Sequence, residues 1–181
     1  PTDCKNVAVR NAATNGHTEV VRVLLNWRGP GGQFVDHTAV NNSAIKAAAR
    51  LGRVGVLDVL LRYTTPTGQW VNPTFDYSNA LHVSCSYGHT EVVNLLLSWR
   101  GPGGEWVDAT HQNSFSLTCA AGSGHLEVVR VLLRWRGPGG EWVDPTVDRN
   151  YAIVLASQRG HANTVRALLE WHGPGGQWVD P

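Results

Sequence analysis

The sequence predicts an all-α fold, a helical-repeat solenoid of five units, each with two antiparallel helices and a connecting loop. Three observations carry the prediction. Glycine recurs at 16, 52, 88, 124 and 160, always 36 residues after the last. Other positions keep the same interval without a slip: Thr2 to Thr146, Leu24-Leu25 to Leu168-Leu169, Pro30 to Pro174 and Val35 to Val179. Within each period the apolar residues fall at helical spacing. A fixed period of 20 to 50 residues marks a solenoid, because one such unit cannot bury its apolar face alone. Five units (1–36, 37–72, 73–108, 109–144 and 145–180) take up 180 of the 181 residues, so residues 1–181 are expected to form one domain.

The first helix of a unit is expected at stretches such as Ser43 to Arg50 or Asn150 to Gln158, with Ala44, Ile45, Ala48 and Ala49 on one stripe. Alanine at a contact face lets a neighbouring helix come close, so units stack at a short and constant spacing. The recurring glycine ends this helix in the left-handed conformation. Leu126 to Leu133 repeats the stripe in larger residues, which fill the volume that alanine leaves open. Gly-Pro-Gly-Gly and Trp-Val-Asp-Pro-Thr then form a turn-rich stretch leading to a short extended segment and the next helix.

Residues 88 to 97, Gly-His-Thr-Glu-Val-Val-Asn-Leu-Leu-Leu, preceded by Ala80-Leu81-His82 and followed by Val107-Asp108, resemble an ankyrin repeat, and the resemblance extends over all five units. Gly-His, Glu-Val-Val and Leu-Leu match in repeats one, three and four; repeat five has Asn163-Thr164 for Glu-Val. Two departures stand out. The family's Thr-Pro-Leu-His opening is replaced by forms such as Asn150-Tyr151-Ala152-Ile153, so the helix starts are expected to be capped differently. Each unit also exceeds the common length of about 33 residues, with the extra residues in Trp-Arg-Gly-Pro-Gly-Gly-Glu-Trp, a divergent subfamily with its own loop chemistry. The resemblance implies β-hairpin finger loops which, with the first helices, form a concave face that binds protein.

Composition narrows the partner classes. Fifteen Lys and Arg face fourteen Asp and Glu, and 16% of residues are charged against about 25% in an average protein, so no phosphate-backbone partner is advertised. No apolar stretch approaches the roughly 18 residues of a membrane span, and no leader precedes the first repeat. The chain has no Met and neither end reads as a polar cap, so it is expected to be a piece of a longer parent with further repeats or a flanking segment. Cys4, Cys85 and Cys119 are too few and too scattered for a disulfide framework. Cys85 and Cys119 are expected to be buried and inert.

Two aromatic columns recur, Trp27, Tyr63, Trp99, Trp135 and Trp171, and Phe34, Trp70, Trp106, Trp142 and Trp178. The reading adopted is structural: each loop folds back so that its second aromatic packs on the first or on a neighbour's, with Arg28, Arg100 and Arg136 over the rings. The alternative is an aromatic ridge open to partners. Gly-Pro-Gly-Gly is read as a helix stop, because a phosphate-binding loop opens a helix rather than following its C-terminus. His17, His89, His125 and His161 are expected to hydrogen-bond locally at the start of helix two, holding the loop. No histidine pair has the i, i+4 spacing of a helical zinc site, and no nucleophile elbow, phosphate-loop motif or carboxylate pair is present. No enzyme, cofactor or metal is therefore expected.

Comparing the units with one another separates what stacking demands from what is free to vary. The third to seventh, fourteenth and fifteenth positions vary most, and by the ankyrin resemblance they map to finger tips and the exposed edge of helix one. Partner contacts are expected from Arg50, Phe75, Asp76, Tyr77, Tyr87, His111, Gln112, Phe115, Arg149, Tyr151 and Arg159, aromatic and Arg side chains of the kind that dominate binding hot spots. Phe115 and Tyr151 have an equal alternative as inward-packing residues that begin helix one.

The expected function is a protein-interaction module, acting as scaffold, adaptor, inhibitor or host-targeting effector. The alternatives are a structural spacer within a larger protein and, less favoured, a nucleic-acid binder. The resemblance implies an intracellular setting, whether cytoplasm, nucleus or a host cell reached by secretion. Repeat two departs most, with Arg53 for His, Gly55 for Glu and Thr64-Thr65-Pro66-Thr67-Gly68 in the loop. Gly55 within helix two costs about 0.5–1 kcal/mol relative to Ala. Amide hydrogen exchange is therefore expected to be faster in repeat two than in repeat three, and the reverse order would refute that reading.

Overall fold

The computed structural model describes residues 3–35 and 39–181, with the side chains of 3–6, 39–42 and 75–79 excepted. Among the described residues ten helices follow one another: α1 (Asp3–Asn15), α2 (Thr18–Asn26), α3 (Ala39–Arg50), α4 (Val54–Arg62), α5 (Phe75–Ser86), α6 (Thr90–Ser98), α7 (His111–Gly122), α8 (Leu126–Arg134), α9 (Val147–Gln158) and α10 (Ala162–Leu169). Odd-numbered helices stack on one another in one layer and even-numbered helices in a second, each unit contributing one of each. This is the expected all-α repeat architecture.

The second helices show most directly why this sequence folds so. In α8, Val128, Val129, Leu132 and Leu133 are buried at i, i+1, i+4 and i+5, while Arg130 and Arg134 point outward. Glu127 in the first turn and Arg134 in the last complement the helix dipole. The first helices face one another through Ala44, Ala48, Ala49, Ala80, Ala120, Ala121, Ala152 and Ala156, all buried. Packing there is tight enough that a Cβ added at Gly122 would overlap Leu155 of the next unit.

Each first helix ends in the same double hydrogen bond. In repeat four the His125 amide donates to the Ala120 carbonyl (3.0 Å) and the Gly124 amide to Ala121 (3.1 Å), with Gly124 at φ +74°. This helix-ending pattern needs a residue in the left-handed region, which glycine enters without a Cβ penalty. A second demand falls on the same glycine. A Cβ at Gly124 would lie 2.5 Å from Nδ1 of His161, the imidazole of the next unit.

That imidazole explains the Gly-His signature. His161 Nε2 lies 3.1 Å from the Gly122 carbonyl, His125 Nε2 3.0 Å from Ser86, and His89 Nε2 2.9 Å from Arg50. Because a carbonyl only accepts, Nε2 carries the proton in each case. The acceptors are last-turn carbonyls of the preceding unit's first helix, which have no partner within their own helix. The histidines therefore join units, where the sequence suggested a local role holding the loop. Periodicity does not reveal whether a bond stays inside its unit. In repeat two Arg53 does the same work, its Nε donating to the Thr14 carbonyl at 3.2 Å above Gly16.

The loops after helix two are short hairpins. In repeat three the Gly101 amide donates to the Glu105 carbonyl (2.8 Å), Gly104 to Gly101 (3.0 Å), and an isolated antiparallel bridge joins Arg100 to Trp106. Helix two has already ended by then: Trp99 is extended at φ −65°, ψ 141°. Gly-Pro-Gly-Gly is thus the hairpin tip, and the helix stop lies at the tryptophan before it. The arginines serve the helix end. Arg100 Nη1 donates to the carbonyls of Leu97 (3.1 Å) and Trp99 (2.7 Å), and Arg28 and Arg136 repeat the pattern, capping the negative end of the helix.

The aromatic columns join neighbouring units. Trp70 of repeat two packs on Trp99 of repeat three with ring centroids 5.4 Å apart. Trp99, Trp135 and Trp171 are buried, and Trp70, Trp106 and Trp142 pack against the core half-buried. Repeat two rebuilds the hairpin with other side chains: Thr65 replaces the first glycine and its hydroxyl accepts from the Gln69 amide at 2.9 Å. The corresponding Cβ at Gly101 would lie 2.7 Å from the Trp99 ring, and Tyr63 brings a smaller ring there. Before helix one, Asp108 Oδ1 accepts from the Thr110 amide (2.8 Å) and hydroxyl (2.7 Å), with Asp144–Thr146 and Asn72–Thr74 doing likewise. These turns lead directly into α5, α7 and α9.

Replacing His125 with Ala removes a donor from the half-buried Ser86 carbonyl and should cost about 1 kcal/mol in chemical denaturation. His125→Arg should retain most of that stability, because Arg53 already performs the bond in repeat two.

Candidate functional site

The varying positions gather on the layer of first helices, at and just after a turn of unusual handedness. Gln112, Asn113 and Ser114 open α7 at φ 50°, 53° and 57°, and Asp148, Arg149 and Asn150 open α9 at φ 50°, 59° and 61°. Right-handed helix begins only at Phe115 and Tyr151, close to the start the sequence predicted for the second of these. Left-handed backbone costs about 1–2 kcal/mol per residue for side chains other than glycine, less for Asn and Asp, which bond locally. Both turns are closed by backbone bonds, Ser114 to Thr110 (3.0 Å) and Asn150 to Thr146 (3.1 Å). Their tips are also joined, with Asn113 Nδ2 donating to Asp148 Oδ1 at 3.2 Å, and Asn150 Nδ2 donating to the Asp180 carbonyl at 3.0 Å.

Gln112 and Arg149 extend from these tips and are exposed. Phe115 and Tyr151 occupy the same place in successive units and are 45% and 47% exposed, so neither is swallowed by the core. Phe115 rests one edge on His82 of the preceding unit, centroids 5.2 Å apart and nearly perpendicular. His82 is buried, and burial first, then the charge of the neighbouring His111, holds its pKa below the ordinary histidine value. Its imidazole is thereby kept neutral beneath the aromatic ring. His111 is half-buried beside it.

Tyr87 lies exposed at the far end of α5 and stacks on His89, with centroids 6.2 Å apart. Arg50 is exposed at the end of α3. Arg159 is exposed too, yet its Nη1 donates to the Gly122 carbonyl at 2.8 Å, so it also ties repeat five to repeat four. The side chains of Phe75, Asp76 and Tyr77 lie outside the described residues. Two exposed apolar residues on this layer escaped the sequence reading, Val7 on α1 and Val154, which lies one turn beyond Tyr151. The counterparts of Val154 in other units include Arg10, Lys46 and Thr118, a polar-tolerant position that comparison of the units would have exposed.

Reactive chemistry finds little footing on this face. Burial pushes the Cys85 thiol up, with Cys119 adding to the effect, and burial raises Cys119 as well. Thiols held protonated are poor nucleophiles. No group of three His, Cys, Asp or Glu among the described residues is arranged to hold a metal ion, and no described helix is long and apolar enough to cross a membrane.

The sequence model of the family described as ankyrin repeats (3 copies) matches residues 48–139, slightly more than half of the chain. No curated protein matches the chain.

Strain at the tips is directly measurable. Arg149→Gly should raise folding stability by about 0.5–1 kcal/mol, because relief of the left-handed backbone outweighs the added chain entropy. Ser157→Gly, in the right-handed part of α9, should lower it by about 0.5–1 kcal/mol. Equal losses at both sites in urea denaturation would contradict the left-handed assignment.

Proposed function

We propose that this chain, which belongs to the ankyrin repeat family, binds a partner protein through its layer of first helices and the left-handed turns that precede them. Ankyrin repeats are in general protein–protein interaction modules. The finer reading takes residues 1–181 as one binding domain that serves as scaffold, adaptor or inhibitor, with recognition centred on repeats three to five.

One observation carries it: aromatic side chains sit half in water on successive units, beside exposed residues held in costly backbone. Phe115 and Tyr151 leave apolar surface whose removal from water contributes roughly 25 cal/mol per Å². Gln112 and Arg149 occupy left-handed positions where Asn or Gly would cost less. Strained positions that stacking does not require cluster at ligand-binding surfaces. The constant residues, by contrast, are spent on holding the units together: the glycines and histidines on the imidazole–carbonyl bond between units, the tryptophans and arginines on the hairpins.

Nucleic acid fits less well. The charge balance of +1 over 181 residues supplies no basic stripe.

The test is affinity capture with the intact chain and with Tyr151→Ala, Phe115→Ala and Arg149→Ala. A partner retained by the wild type should be lost from these variants, by about tenfold or more in affinity at a hot spot, while thermal melting changes little. A chain that retains no partner would be acting as a spacer. Retention that is indifferent to all three substitutions would place recognition elsewhere.

A further inference from the structure

The charge balance of +1 conceals a division between the two layers. By sequence, the first helices and the glycine turns that close them (3–17, 39–53, 75–89, 111–125 and 147–161) hold seven Lys and Arg against three Asp and Glu. The second helices and hairpins hold eight against eleven. Within the first layer the cations are unevenly spread. Repeats one and two carry Lys5, Arg10, Lys46, Arg50 and Arg53 against Asp3 alone, and between Asp76 and Asp148 the layer has no Lys, Arg, Asp or Glu.

The outward side chains divide along the array in the same way. Helices α1, α3, α5, α7 and α9 lie side by side in that order. Since Ala44, Ala48 and Ala49 are buried, the seventh, tenth and fourteenth places of a unit fall on the opposite face of its first helix. Arg10 and Lys46 hold the tenth place in repeats one and two, and Arg50 the fourteenth in repeat two. Phe115 and Tyr151 hold the seventh place in repeats four and five. Arg50 and Phe115 are exposed although each has a unit packed on either side, and Tyr151 at 47% is hardly more open than Phe115 at 45%. Their exposure does not come from an uncovered neighbour.

We propose, on the reading that this layer binds protein, that its partner is an extended acidic segment of polypeptide, with Asp and Glu over Arg10, Lys46 and Arg50 and apolar residues on Phe115 and Tyr151. Opposite charge steers such a segment onto repeats one and two. Burial of apolar surface then holds it at repeats four and five. Neighbouring helices pack about 8–10 Å apart, so Arg50 and Phe115, two units apart, are separated by roughly 20 Å, or about six residues of extended chain. A nucleic-acid strand matches poorly, because its phosphates recur at every nucleotide while the cations of this layer stop at Arg53 and resume only at Arg149.

The test is selection of random displayed peptides, long enough to span three units, on the intact chain. Retained peptides should carry Asp or Glu on one side and aromatic or aliphatic residues about six positions away. A synthetic copy of one such peptide, followed by fluorescence anisotropy, should bind more weakly as salt is raised. With its acids changed to Lys it should lose about tenfold in affinity for the wild type and regain most of it on Arg10→Glu/Arg50→Glu, whose helical content by circular dichroism should be unchanged. No retained peptide, retained peptides without acidic residues, indifference to the charge exchange, or tighter binding of a single-stranded oligothymidylate would each overturn the acidic partner. Phe115→Ala and Tyr151→Ala separate the two readings. A peptide lost from both variants but indifferent to the exchange keeps the face as a binding surface and refutes its acidic partner, whereas a peptide indifferent to both substitutions refutes the face itself.

Discussion

The contact on which the stack depends is the seat of each unit's seventeenth side chain over the sixteenth residue of the unit before it. That residue is a glycine under two demands at once. Its φ near +75° ends the first helix, and its missing Cβ leaves room for a ring that would otherwise lie 2.5 Å away. The ring then donates to a last-turn carbonyl that the first helix cannot satisfy itself. Helix termination, unit spacing and a hydrogen bond are thus fixed at one point, and any other residue would fail the backbone and the packing together. Arg53 shows that the demand is for a donor of the right reach rather than for imidazole.

The hairpins hold the other edge of the array. An arginine on the last helical carbonyls, a glutamate or glutamine side chain accepting from the second glycine of the tip, and a tryptophan reaching the next unit turn a lengthened loop into a packed element. Glu105 Oε2 takes the Gly103 amide at 2.9 Å, and Gln177 Oε1 takes Gly175 at 3.0 Å. Repeat two loses the arginine and two of the glycines and still closes the same turn. There Tyr63 supplies a hydroxyl that donates to the Leu25 carbonyl at 2.5 Å and so crosses to repeat one. The loop therefore tolerates a change of chemistry provided that its bonds to the neighbour are remade.

Much of this was legible in the sequence because a period exposes what is constant. The two helices, the glycine stop, the small-residue stripe of helix one and the structural use of tryptophan all follow from positions repeating at 36. What was not legible is what a period hides: whether a constant residue bonds within its unit or one period away. His125 and Trp70 both reach across, and their spacing to the true partner differs from a local contact only by one repeat. The left-handed turns were hidden for another reason. Gln112, Asn113 and Ser114 include no glycine, and the same residues read equally well as an ordinary helix start.

A stack held at one edge by a glycine and a donor, and at the other by paired rings, leaves little structural duty to the outward side of the first helices beyond the bonds of Arg159 and of Asn113 to Asp148. Side chains there can change without weakening the array, because the burial that stabilises it lies on the alanine stripe beneath and in the leucines of helix two. Specificity and stability are then separable properties of different positions. This gives the strained tips their meaning. A single globular core would relax around a left-handed Arg149, whereas a turn bonded to Thr146 behind it and to the Asp180 carbonyl beside it has nowhere to go. The rigidity that stacking provides is what lets exposed, costly residues hold one position relative to the aromatics beside them, which is the preorganisation that the proposed binding surface calls for.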